Sequence, residues 1–188
     1  MATIGITIDE NEHLVLPPPR GSLRVHSKID TRLLTLRLIP GFDDVVIADM
    51  IHRAEETRQL RALVLQLYGT GNLPSVKRSF IELLAEASSK GILVVASTQC
   101  HTGSVRMGTY AVGKALESAG VVSANDMTLE AIACKIGYLY GRRDLSHTEV
   151  CRLMGVSLRG EITPVESLSP PPLPSAYQLG LRKGRKFH

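Results

Sequence analysis

From Arg32 onward the chain alternates short apolar runs with longer segments in which apolar residues recur every three or four positions. Residues 33–39 are rich in Leu and Ile and stop at Pro40 and Gly41, so a strand is expected there. Asp43 and Asp44 then offer carboxylates to cap a helix whose inner face would carry Val46, Ile47, Met50, Ile51 and Ala54. Residues 62–68 form an apolar run broken only by Gln66, followed by the turn sequence GTGN. After Pro74 a second helix places Val76, Phe80, Leu83, Leu84 and Ala87 on one face and stops at Gly91. Residues 92–96 are apolar throughout, as a strand covered on both faces should be. The stretch 97–108 is polar and reads as a loop, followed by a short helix over 111–119 and an apolar pair at 121–122. Asp126 is placed to cap a helix carrying Leu129, Ile132, Ala133, Ile136 and Tyr140. Ser146 and Glu149 make a capping-box pattern for a last helix that ends near Met154.

Strands alternating with helices predict parallel βαβ units joined by right-handed crossovers. The expected fold is α/β, a small parallel sheet of about four strands sandwiched by helices, over residues 31–164. Residues 1–30 read as a lead-in or interdomain linker, with short extended pieces at 3–8 and 23–25 separated by Pro17, Pro18 and Pro19. Beyond Pro164 the run SLSPPPLPS and a basic end offer too little apolar surface to offset the entropy of ordering, so 165–188 is expected to be a disordered tail.

Composition narrows the classes of function. With 188 residues, 44% of them hydrophobic, one domain with a real core is expected. No apolar run approaches the ~18 residues of a membrane span, and the first residues lack a basic leader, so neither membrane insertion nor export is expected. The three cysteines are odd in number and not closely paired, which fits a reducing, cytoplasmic setting. Aromatic residues make up 4% and tryptophan is absent, which leaves little for stacking on bases. The net charge of +4 belongs mostly to the tail: Arg182, Lys183, Arg185 and Lys186 against Glu166 give residues 165–188 a charge of +3, leaving +1 for the rest. No nucleic-acid partner is expected.

In an open parallel sheet, ligands bind beyond the carboxyl ends of the strands, which directs attention to the loops 69–74 and 97–108. Neither carries a phosphate motif: GTGNLP lacks the third glycine of a dinucleotide fingerprint, and no GxxxxGK[ST] occurs. There is no GxSxG elbow and no HExxH, and the six histidines are scattered, so no metal site is expected. His52 and His147 read as surface residues of helices, and Cys134 and Cys151 as core thiols. Cys100 and His101 are adjacent, which points their side chains apart and disfavours a nucleophile pair. For Asn72, capping a plain βα turn and touching a ligand both stand as readings.

The strings ALVLQLYGTGNLP at 62–74, ILVVASTQCHTGSVRMGTYAVGKALESAGVVSANDMTLEAIACKIGYL at 92–139 and LRGEITP at 158–164 resemble the C-terminal domain of cytosolic, type I L-asparaginases. The likeness spans roughly residues 2–164, with several distinct strings in order. It implies a Rossmann-like domain of an amidohydrolase that turns L-asparagine into L-aspartate and ammonia through a threonine nucleophile, without metal or organic cofactor. In that family the nucleophile lies in a TGGT-like N-terminal loop, with a second threonine and an aspartate in an HGTD-like string; neither string occurs here.

The resemblance therefore implies no catalytic residue within these 188 positions and a need for an N-terminal asparaginase catalytic domain as partner. Attack on an amide needs an activated hydroxyl, a base and oxyanion donors, and the loops supply hydrogen-bonding groups without an evident base. By resemblance Asn72, with Tyr68 and Thr70 beside it, contacts substrate in the active site of a neighbouring subunit, so a homo-oligomer is expected. The bacterial relatives also have an effector pocket lined by a Thr-Gln-Cys loop, here Thr98, Gln99 and Cys100. Gln66 stands where they place an arginine, and a neutral amide cannot make the bidentate contact that holds an α-carboxylate. The alternative to half an amidohydrolase is a non-catalytic amino-acid-binding or assembly module that keeps the fold.

Overall fold

The apolar runs pair side by side in a computed structural model that describes residues 25–73, 78–107 and 111–163. The expected pieces at 3–8 and 17–19, Leu23, Val76 and the tail from 165 lie outside these residues. Strands β1 (Leu33–Arg37), β2 (Ala62–Leu67), β3 (Leu93–Thr98) and β4 (Val122–Ser123) form one sheet in the order β1-β2-β3-β4, every pair parallel. Leu65 lies opposite Leu36 on one side and Ala96 on the other, so the carboxyl ends of the three long strands finish nearly level.

The alternation of side chains along a strand sends each run into two cores. Leu63, Leu65 and Leu67 of β2 and Val94 and Ala96 of β3 enter one cluster, with helices α1 (Asp44–Glu56), α2 (Arg78–Ser89) and α3 (Ala111–Ser118). Ala62 and Val64 with Leu93 and Val95 enter the other, under α4 (Leu129–Gly141) and α5 (His147–Met154). This layering follows from the strand order. Crossovers of one hand that step steadily across the sheet leave α1, α2 and α3 on the same face, and the bare face falls to the two helices after β4. Both faces are buried, which is why β2 and β3 are nearly continuous apolar runs. The α/β fold expected from the sequence is the fold observed.

Local chemistry sets the helix ends, with one correction. Asp43 caps α1 through Val45 N and Val46 N, and Ser146 and Glu149 complete the capping box of α5. Thr128, not Asp126, caps α4 by accepting from Ala131 N at 3.2 Å. Asp126 is drawn away by Thr163, whose backbone N–H donates to it at 3.0 Å and whose hydroxyl also bonds its carboxylate. Three further expectations are amended. Val46 does not face the core but is 64% exposed; Ile51 is the buried residue of α1. Val25 is exposed and in no strand. Cys134 is exposed, because it lies two positions from both Ile132 and Ile136, about 200° around the helix from the buried stripe.

That stripe also buries a charge. Lys135 is 6% exposed, and its Nζ donates to Glu161 Oε1 at 2.7 Å and to the Val156 carbonyl at 2.6 Å. Glu161 further accepts from Leu158 N and Arg159 N. Residues 156–163 thus form a strap over α4 that ends on Asp126, at the carboxyl end of β4.

The lead-in lies against α4 where Gly137 and Gly141 remove the side chains. Asp30 N donates to the Gly137 carbonyl at 3.0 Å, and a Cβ on Gly141 would sit 1.9 Å from the Lys28 carbonyl oxygen. Gly141→Ala is therefore expected to displace the lead-in at a cost of about 1–3 kcal/mol. Hydrogen exchange at Asp30 N should accelerate, and unchanged exchange there would refute the docking.

Candidate functional site

The loop after β2 is built as a tight turn. Tyr68 N donates to the Asn72 carbonyl at 3.0 Å, while Asn72 N and Gly71 N both donate to the Tyr68 carbonyl, at 2.8 and 3.0 Å. Such closure needs positive φ, which Gly69 (+50°) and Gly71 (+116°) supply. At Gly71 space also runs out: a Cβ there would meet Val105 Cγ1 at 2.9 Å.

Neighbouring strand ends fasten this turn. Thr98 Oγ1 donates to the Gly69 carbonyl at 2.5 Å and accepts from Cys100 N at 3.0 Å. Arg106 N donates to the Thr70 carbonyl at 2.9 Å. Gln99 stitches the sheet end together: its backbone N–H reaches the Leu67 carbonyl, and Nε2 donates to the carbonyls of Leu38 (2.6 Å) and Gln66 (2.8 Å). From the β4 side, Ser123 Oγ donates to the Val105 carbonyl, and Val105 N to that of Asn125.

The geometry thus gathers Gln66, Tyr68, Thr70, Asn72, Thr98, Gln99 and Cys100 at the carboxyl ends of β2 and β3, and distinguishes their situations. Asn72 is exposed, and its Oδ1 accepts from Leu73 N at 2.9 Å, leaving Nδ2 with two donors and no partner among the described residues. The oxygen thus bonds within the turn, and the side chain as a whole is exposed. The Thr70 side chain is exposed. Tyr68 packs against the core, and its hydroxyl is buried without a partner among the described residues, a cost of about 1–3 kcal/mol. Thr98 and Gln99 spend their donors on backbone carbonyls, so they hold the loops in register. Cys100 and His101 are exposed. The anchors Arg106, Ser123 and Asn125 were not singled out from the sequence, because they act through contacts 18 to 36 residues away, which no local pattern announces.

Among the described residues no group of three or more His, Cys, Asp or Glu side chains could hold a metal ion, and no helix is long and apolar enough to cross a membrane. Residues 32–154 match the Glutaminase/Asparaginase C-terminal domain family. The chain belongs to this family. It is 38% identical over 148 residues to L-asparaginase 1 of Escherichia coli strain K12, covering 79% of this chain and 42% of that protein. It is also 35% identical to the human 60 kDa lysophospholipase, over 87% of this chain and 28% of that one. The crystal structure of L-asparaginase I from Vibrio cholerae superposes with a TM-score of 0.69 at 36% identity, over 78% of this chain and 42% of that chain. The chain spans less than half the length of these relatives. As an asparaginase C-terminal domain it corresponds to the part of the family that the Asn72 loop and the TQC loop had suggested.

Proposed function

We propose that this domain is the C-terminal half of an L-asparaginase-type amidohydrolase, which converts L-asparagine to L-aspartate and ammonia, and that it supplies one wall of the substrate site. The observation that carries the proposal is the outward amide of Asn72, free to donate to a substrate oxygen on a turn tied to β3 and β4. Thr70 stands beside it, and Tyr68 sets the turn from beneath. An N-terminal catalytic domain brings the threonine nucleophile, and Asn72 reaches the site of a neighbouring subunit in a homo-oligomer. Gln66 and Cys100 line an effector pocket in which Gln66, a neutral amide, stands in the place of an arginine, with Thr98 and Gln99 as its frame. The division into a lead-in (1–30), the α/β domain (31–164) and a tail (165–188) belongs to the same proposal, as does a cytoplasmic setting.

The test is complementation. The 188-residue chain alone should release no ammonia from asparagine. Co-expressed with the N-terminal half of the Escherichia coli relative, it should gain turnover, and Asn72→Ala should then lower kcat/KM by an amount equivalent to about 1–3 kcal/mol. Ammonia release by the isolated chain, or a complemented Asn72→Ala enzyme with unchanged kcat/KM, would overturn the assignment.

A further inference from the structure

Arg106 is tied to the Asn72 turn by its backbone and carries a charge that no other residue there balances. Its N–H donates to the Thr70 carbonyl at 2.9 Å. The main chain is fixed on either side: Val105 is buried and bonded through its N–H to Asn125 and through its carbonyl to Ser123 Oγ, and Met107 is buried as well. One exposed side chain thus stands between two buried ones, on a backbone held beside Thr70. Among the described residues the Arg106 guanidinium makes no hydrogen bond and no ion pair.

The carboxylates at this end of the sheet are engaged elsewhere. Asp43 caps α1, Asp44 accepts from Ser79 Oγ at 2.6 Å, and Asp126 accepts from Thr163 N at 3.0 Å. The loops 69–74 and 97–108 contain no Asp or Glu, and Arg106 is their single Lys or Arg. A solvated arginine elsewhere on the surface would be equally exposed; what distinguishes Arg106 is its company. Thr70 and Asn72 are also exposed, and Asn72 Nδ2 has no acceptor among the described residues. A guanidinium, a primary amide and a hydroxyl therefore lie at the carboxyl end of a parallel strand, where such sheets bind ligands, and what they lack is an acceptor. A carboxylate is the complementary group, because its two coplanar oxygens match the two parallel N–H bonds of the guanidinium fork.

We propose that Arg106 is a specificity-determining residue of this site, which binds the α-carboxylate of a small amino acid whose other polar groups meet Asn72 and Thr70. The choice of ligand rests on the asparaginase reading, since L-asparagine carries one such carboxylate. Binding makes and breaks no covalent bond; the carboxylate exchanges hydration for the fork. Gln66 is neutral, so Arg106 supplies the positive charge of these loops. Nothing in SVRMG announces this role, which depends on a contact with Thr70, 36 residues away.

The experiment follows the isotope-labelled 188-residue chain by NMR as L-asparagine is added up to its solubility. The Arg106 Nε–H signal and those of Thr70 and Asn72 should shift together and saturate. L-Asparaginamide, in which a carboxamide replaces the α-carboxylate, should bind at least ~10-fold more weakly. Arg106→Gln should weaken L-asparagine binding by ~10- to 100-fold while signals away from the loops stay in place. Arg106→Lys, which keeps the charge without the fork, should fall between. The assignment is overturned by a wild-type chain with no saturable shift, by L-asparaginamide binding as tightly as L-asparagine, or by unchanged affinity in Arg106→Gln. Inorganic phosphate binding more tightly than L-asparagine would overturn it too. The complementation assay separates this inference from the reading it rests on. Turnover that Asn72→Ala lowers but Arg106→Gln leaves at an unchanged KM strikes Arg106 alone. A chain that binds L-asparagine through Arg106, yet gains no turnover with the N-terminal half, strikes the amidohydrolase reading and keeps the carboxylate site.

Discussion

A chain carrying Glu161→Gln should lose about 3 kcal/mol of unfolding free energy at neutral pH, read from its urea midpoint. Removing one partner of a buried ion pair leaves the other charge without compensation, and here that charge is Lys135, 5% exposed at its side chain. Glu161 retains 17% exposure, which places the loss at the low end of the range for buried pairs. The pH dependence follows from the carboxylate. Burial pushes its pKa up, but the Lys135 ammonium and the backbone N–H groups of Leu158 and Arg159 outweigh burial and hold it at about 2, against an ordinary 4.5. A depressed carboxylate pKa gives stability that is complete above 4.5 and lost as pH falls toward 2. Glu161→Gln should therefore flatten the acid limb of the stability profile in that window. For Lys135 burial outweighs Glu161 and lowers the ammonium's pKa, so its charged form opposes folding in full below that lowered value, and the opposition fades as pH rises from there to the ordinary 10.5, above which it is gone. The double change Lys135→Met with Glu161→Leu should recover most of the loss, because an apolar pair of similar volume removes both charges at once. An unaltered acid limb in Glu161→Gln would remove this carboxylate from the account.

The strap that Glu161 fastens leads to the candidate site through a short series of contacts. It ends on Asp126, next to Asn125, whose carbonyl holds Val105 N; Val105 in turn confines Gly71, beside Asn72. Nothing in LRGEITP announces that path, although the string itself could be recognised. What the sequence shows well is whatever one period decides. The apolar runs 62–68 and 92–96 read as strands and Phe80, Leu83, Leu84 and Ala87 as one helix face; these four and all of 92–96 are buried, as are the apolar residues from Ala62 to Leu67, with Gln66 and Tyr68 half-buried. Asp126 shows where such reading stops. Beside a helix start it is a good cap, yet a threonine 37 residues on claims it, and Thr128 takes the cap instead. Lys135 is harder still, a cation inside an apolar stripe whose partner lies 26 residues away in a loop. In the candidate site, the rule for parallel sheets found both loops, but it could not tell that Gln99 Nε2 is spent on two strand ends while Asn72 Nδ2 faces out. That distinction depends on which carbonyls converge, and so on the register of β1, β2 and β3.

Phe80→Ala should cost more than any change in the site itself, about 3–5 kcal/mol. Phe80 is 1% exposed and lies in the first turn of α2, directly after the Asn72 loop. Its ring meets Phe42 edge-on at 5.0 Å between centroids, and next to it Ser79 Oγ donates to Asp44 Oδ2 at 2.6 Å, joining the first turns of α1 and α2. Alanine would remove the edge-to-face pair and leave a cavity that α1, β2 and α2 cannot all collapse to fill. Phe80→Leu keeps most of the volume and should cost less than about 1.5 kcal/mol, which separates packing from any property of the ring. The comparison with Asn72→Ala then divides stability from recognition. Asn72 is exposed and among the described residues its side chain bonds only Leu73 N, so its loss should move the urea midpoint by less than about 1 kcal/mol while lowering complemented activity. Phe80→Ala should do the reverse in kind, loosening the fold first and activity only as the first turn of α2 frays. If Phe80→Ala left the midpoint within about 1 kcal/mol of the parent, the ring would not be what seats α2 on the sheet, and the fixed position of the Asn72 turn would have to come from the contacts of Thr98, Arg106 and Val105 with it.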